Sequence, residues 1–229
     1  MDDQYLYLIL NLGTISIPLL ASFHPKANFS KTWKAFFPAV LITGTFFIIW
    51  DVWFTHFGIW GFNPRYLTGI YLLELPIEEW LFFFTIPYAC VFTYFSLNYL
   101  IKKDLLKNIH EYITIGLTVT LLGVGVANYD KFYTASAFIL TALVLAYQGL
   151  CKNKMMGRFY LMYFLTLIPF FIVNGILTGS GIEGQVVWYD NLHNLGFRLG
   201  TIPIEDTIYG MLLLLMNVAI YDRLSPGHN

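Results

Sequence analysis

Seven stretches of this chain are each apolar over about 20 residues, the length a helix needs to cross the hydrocarbon core of a bilayer. They are residues 5–22, 35–54, 76–101, 112–128, 132–150, 159–177 and 202–221. The remaining composition agrees with them. Hydrophobic residues make up 57% of the 229, charged residues only 12%, and mean hydropathy is +0.62. Soluble domains carry about 25% charged residues. The expected fold class is therefore all-α, an integral membrane seven-helix bundle. The longest connections, residues 55–75 and 178–201, precede the third and seventh spans. A net charge of −1 gives no reason to expect nucleic acid as a partner. Cys90 and Cys151 lack a second cysteine at metal-ligand or redox spacing and read as packing residues. The start, Met1-Asp2-Asp3, has the wrong charge for the n-region of a cleaved signal peptide.

Lys and Arg bias sets orientation. With the N-terminus outside, the cytoplasmic connections and C-terminus carry Lys26, Lys31, Lys34, Lys102, Lys103, Lys107, Lys152, Lys154, Arg158 and Arg223. The outer side keeps Arg65, Lys131 and Arg198. Loss of one span would scramble this bias, so an odd number of spans is expected. The N-terminus then lies outside the cell membrane and the C-terminus in the cytoplasm.

A short acidic motif occurs twice. Pro76-Ile77-Glu78-Glu79 opens the third span, and Pro203-Ile204-Glu205-Asp206 opens the seventh, 127 residues later. At the same shift Gly69 falls on Gly196, and the start of the first span falls on that of the fifth. The fourth span has no partner. The expected organisation is a single transmembrane domain, 1–229, of two parallel three-helix repeats (1–103 and 131–229) joined by a linker helix (104–130). An odd linker gives both repeats one orientation and a pseudo-two-fold axis along the membrane normal.

Carboxylates behind a helix-opening proline complement the helix dipole, and that alone can explain one such motif. Adjacent carboxylates at the mouth of a membrane helix are costly to desolvate, so placing them there twice points to chemistry. Proton transfer is the expected role: a carboxylic acid donates, and a carboxylate accepts. Neighbouring residues on a helix point about 100° apart, so one of each pair should face the bundle centre. Glu78 and Glu205 are the expected inward pair, with Glu79 and Asp206 supporting. Other polar groups gather at the same end. Asp51 ends the second span, and Glu74 precedes Glu78 by one turn. His56, Asn63, Arg65 and Tyr66 come from the first long connection, Asp190, His193 and Arg198 from the second. Arg65 or Arg198 is a candidate for holding a carboxylate ionised. Asn174, within the sixth span, reads first as helix–helix glue. Trp33, Trp50, Trp53, Trp60 and Trp188 sit near span boundaries, as in an anchoring belt. The alternative is that some rings line a cavity and stabilise a cation.

The stretch Trp60-Gly61-Phe62-Asn63-Pro64, Gly69, then Leu75-Pro76-Ile77-Glu78-Glu79 resembles the membrane-integral carotenoid (lycopene) cyclases. That family includes heterodimeric bacterial enzymes, fused archaeal and bacterial forms, and the cyclase half of fungal bifunctional phytoene synthase/lycopene cyclases. Asn174-Gly175, Tyr189, Gly196, Arg198, Ile202-Pro203-Ile204-Glu205-Asp206 and Tyr209 resemble its partner repeat, as in a fused form. The resemblance implies conversion of the ψ-ends of lycopene to rings, most often β-rings, giving γ-carotene and then β-carotene. An acid protonates C2, the C1 cation is attacked by the C5–C6 double bond, and a base removes a proton from C6. Nothing is oxidised overall. The motif carries the catalytic role onto Glu78, Glu79, Glu205 and Asp206. Asp51, Trp60, Asn63, Arg65, Glu74, Asn174, Tyr189, Arg198 and Tyr209 are expected to support it or line the substrate. The implied partners are lycopene or a related acyclic carotenoid and the lipid bilayer.

Flavin-dependent cyclases carry a dinucleotide fingerprint. Here Gly123 and Gly125 lie in an apolar span with no third glycine at the right spacing, so no cofactor is expected. A seven-helix small-solute transporter has a similar repeat plan, but its polar residues belong at helix centres. A retinal protein needs a lysine in the seventh span, and residues 202–221 contain none. An iron oxygenase needs intramembrane histidines, whereas His24, His56, His110, His193 and His228 fall in connections or ends. A prenyltransferase needs Asp-rich motifs, and Asp2-Asp3 is the one adjacent Asp pair.

Overall fold

The structure is a computed structural model that describes residues 3–25 and 28–225. Met1, Asp2, Lys26 and His228, which the sequence reading used, lie outside them. Among the described residues all seven spans form helices long and apolar enough to cross a membrane. They are α1 (Leu6–Ala21), α2 (Trp33–His56), α3 (Ile77–Leu100), α4 (His110–Ala127), α5 (Phe132–Leu150), α6 (Met156–Leu177) and α7 (Ile204–Leu224). Helices α3 and α7 hold the centre. α3 packs against α1, α2, α6 and α7, and α7 packs against α2, α3, α5 and α6. Exchanging the repeats maps the α1–α3 contact onto α5–α7, and α2–α7 onto α6–α3. α4 lies along α5, and no described helix covers α1 in the same way.

The long connections contain short strands that hydropathy does not show. β1 (Trp60–Phe62) pairs antiparallel with β4 (Val187–Tyr189). β2 (Tyr71–Leu72) pairs with β3 (Leu75–Pro76), and β5 (Arg198–Leu199) with β6 (Ile202–Pro203). The two hairpins are copies, with Tyr71 opposite Pro76 and Arg198 opposite Pro203. Each runs directly into its helix, so Pro76 and Pro203 are the residues before α3 and α7 and not their first turns.

The β1–β4 ribbon locates the symmetry axis. Gly61 sits opposite Trp188, its own counterpart at the 127-residue shift. The flanking bonds repeat as well: Asn63 N–H donates to Val186 O (2.8 Å) and Asp190 N–H to Ile59 O (2.9 Å). A ladder that maps onto itself when the halves are exchanged places the two-fold at Gly61–Trp188. Both acidic motifs therefore start their helices at the same end of the bundle.

Candidate active site

Glu78 and Glu205 hold the loops above them. The Glu78 carboxyl Oε1 accepts from Thr68 N–H at 2.7 Å. The Glu205 Oε1 accepts from Leu195 N–H at 2.7 Å and from the Thr134 hydroxyl at 2.6 Å. Thr68 and Leu195 are again 127 apart, and each precedes a glycine in the left-handed region, Gly69 (φ 84°) or Gly196 (φ 70°). That backbone turn, which favours glycine, carries the preceding N–H over the carboxyl. Both side chains are fully buried, and neither lines the cavity. The expected inward pair is thus corrected. Rotation of α3 and α7, fixed by their packing, turns the following residues inward instead.

Glu79 and Asp206 line a single cavity of about 630 Å³, together with Asp51 from α2. The Tyr7 hydroxyl on α1 donates to Glu79 Oε2 at 2.5 Å. Asp206 receives three donors: the Tyr133 hydroxyl on Oδ1 (2.7 Å), and the Asn174 amide (2.7 Å) and Tyr189 hydroxyl (2.9 Å) on Oδ2. Burial, reinforced by Asp206, pushes the Tyr189 phenol well above its ordinary pKa, so it stays a donor. Asp51 Oδ2 and the Tyr209 hydroxyl are buried without a hydrogen-bond partner among the described residues. Among the described residues no Lys, Arg or His lines the cavity. Three carboxyls in an apolar cleft without a counter-cation cannot all be charged at once.

Aromatic rings wall the carboxyl end. Trp60 meets Tyr133 edge-on at 5.0 Å between centroids, and Tyr133 stacks on Tyr189 at 5.9 Å. Tyr209 makes edge contacts with Phe47 (4.9 Å), Trp50 (5.2 Å) and Trp60 (5.8 Å). Ring faces of this kind attract positive charge, and of these rings Tyr189 already has the Arg198 guanidinium 5.8 Å from its centroid.

Asp51, Trp60, Asn174, Tyr189 and Tyr209 therefore lie where the sequence places them, around the carboxyls. Asn63, Arg65, Glu74 and Arg198 do not reach the cavity. Asn63 accepts from Arg65 N–H in a 3₁₀ turn. The Arg65 guanidinium pairs with Asp3 and Glu183 at the surface, which raises its pKa further above its ordinary value. Glu74 meets His56 at 3.2 Å, both exposed. Arg198 donates to Thr201 O (2.7 Å) and sits 5.8 Å from the Tyr189 ring centroid. Neither arginine touches a cavity carboxyl, because each lies on the outer side of its connection. Tyr7 and Tyr133 escaped the sequence reading. At the starts of α1 and α5 they look like belt tyrosines, and they do not align at the 127-residue shift.

A family model described as Lycopene cyclase matches residues 4–97 and 130–224. The matched stretches contain α1 to α3, short of the last residues of α3, and α5 to α7; α4 falls between them. Searches of curated proteins and of solved structures returned no significant match. With both matched halves contributing a carboxyl to one cavity, the chain belongs to the lycopene cyclase family.

Proposed function

We propose that this protein closes rings at the ψ-ends of lycopene, forming β-rings by way of γ-carotene to β-carotene, without redox change. The observation that carries this reading is the meeting of Glu79, Asp206 and Asp51 in one aromatic cavity whose lining, among the described residues, holds no Lys, Arg or His. Family membership supplies the substrate class. Glu79, sharing charge with Asp51, is the proton donor to C2. The cation formed at C1 is captured by the C5–C6 double bond, and the new ring cation is held among Trp60, Tyr133 and Tyr209. Asp206 takes the proton from C6. A proton next to a carbocation is acidic enough for a carboxylate already satisfied by three donors to remove it. The proton then returns from Asp206 to the donor side, so one turnover is an isomerisation with no net proton change. The domain plan of two repeats, 1–103 and 131–229, around a linker, 104–130, belongs to the same proposal. So does the orientation in the cell membrane, N-terminus outside and carboxyls near the outer face, which the Lys and Arg bias supports.

The test is pigment chromatography from a lycopene-accumulating bacterial host. The parent chain should yield cyclic carotenes. Glu79→Gln and Asp206→Asn should leave lycopene unchanged at normal protein levels, while Glu78→Gln retains conversion. A parent that inserts in the membrane and leaves lycopene untouched would overturn the cyclase reading. Full activity in both Glu79→Gln and Asp206→Asn would overturn the assignment of residues.

A further inference from the structure

The cavity has a direction. On α3 its lining runs from Glu79 to Thr93, about 21 Å at 1.5 Å per residue. On α1 it runs from Tyr7 to Pro18, about 16 Å on the same scale. All three carboxyls lie at one end. The rest is an apolar slot along the floor formed by α3, with α1 on one side and α6 on the other.

The carboxyl end is closed toward water. Tyr7, Tyr66, Leu67, Leu177, Val186 and Val187 form a buried cluster over it. The side is different. α1 and α6 each pack on α3 but share no extended packing with each other. Ile9 and Ile17 line the cavity and are also 46% and 75% exposed, more than an enclosed lining would leave. Gly13 lies between them on the same helical stripe and is exposed too, as is Pro169 on α6. The repeat-related helices α5 and α2 share no extended packing either, but there a ring pair spans the gap, Phe54 on α2 meeting Tyr133 on α5 at 6.2 Å. The two lateral gaps thus differ in the rings between the helices.

We propose that the cleft between α1 and α6 is the door by which an acyclic isoprenoid polyene enters from the bilayer, its chain lying along α3 with one end at the carboxyls. The inference rests on the cyclase reading. A C40 polyene is about as long as the hydrocarbon core is thick, about 30 Å. The slot is shorter, so the second end stays in lipid, and each visit closes one ring. Gly13 is the gate position. A Cβ built there meets nothing within 4 Å, so a side chain would enter the cleft without displacing protein.

The experiment compares Gly13→Trp with Leu12→Trp. Leu12 is also exposed on α1 (54%) but does not line the cavity. Each protein is checked for normal level and melting in membranes or detergent and then supplied with lycopene. Gly13→Trp should lower ring formation about tenfold or more, and Leu12→Trp should leave it within about twofold. Equal activity of the two folded variants would overturn the door while leaving the cyclase reading intact. Absence of ring formation in both variants, and in the parent, would overturn the reading on which the door rests.

Discussion

Glu205 separates the two jobs that adjacent carboxyls perform in this fold. Replacing it with alanine removes the acceptor for Leu195 N–H and for the Thr134 hydroxyl. Thr134 is fully buried, so water does not replace its lost partner, while Leu195 is half-buried. A buried donor left unpaired costs about 1–3 kcal/mol. For a chain of this size each kcal/mol moves the melting temperature by about 2–4 °C, so Glu205→Ala should melt roughly 6 °C or more below the parent. Glu205→Gln keeps a carbonyl where Oε1 now accepts both bonds but places its amide where Oε2 is buried without a partner among the described residues, and should melt between the parent and Glu205→Ala. The assay is thermal unfolding of the detergent-solubilised protein, followed by lycopene conversion in membranes. Glu205→Gln should retain ring formation, and Asp206→Asn should lose it while still reaching the membrane at normal levels. A folded Glu205→Gln protein that forms no rings would refute the reasoning, because the carboxyl itself would then be needed. So would a Glu205→Ala protein of unchanged melting temperature.

Tyr7→Phe removes the donor on Glu79 while keeping the ring, so conversion should fall about tenfold at unchanged expression; an unaltered rate would mean that this bond does not set the carboxyl in place. At the symmetry axis a Cβ on Gly61 would lie inside van der Waals contact of the Trp188 indole. Gly61→Val should therefore lower stability by about 1–3 kcal/mol, with Trp188→Ala restoring most of it in the double variant; equal losses in single and double variants would locate the strain elsewhere. Cys151 is an exposed free thiol after α5. An impermeant maleimide should leave it unmodified in intact cells and modify it in opened ones. Labelling of intact cells would reverse the proposed orientation.

The spans were legible because length and apolar content alone decide them, and each α-helix lies within three residues of its expected bounds at either end. The repeat was legible from Pro76 and Pro203, and it reaches even the paired hairpins. The strands were not legible. Ribbons of two or three residues leave no alternating pattern, and β1 finds its partner 125 or more residues away. The choice between Glu78 and Glu79 was equally hidden. Adjacent positions differ by about 100° around the helix, and the rotation of α3 is set by α1, α2, α6 and α7 together. Asn63, Arg65, Glu74 and Arg198 stand near the motifs in sequence but on the outer side of the connections, because the inner side is taken by Trp60 and Tyr189. Asp51 was legible as a polar residue near a helix end, whereas Asn174 read first as helix–helix glue within its span, and its 2.7 Å bond from α6 to Asp206 on α7 joins two helices at the cavity.

The most direct measurement is ring formation by membranes equilibrated in heavy water, with the parent chain in excess over lycopene and the carotenes analysed by mass. Each site then turns over about once, before recycled protium can reach it. If a carboxyl of the cavity donates to C2 and another accepts from C6, each ring should carry one deuterium, and Asp206→Asn membranes should form none. Rings that form without deuterium would contradict protonation by an exchangeable carboxyl, and with it the role given to Glu79, Asp51 and Asp206.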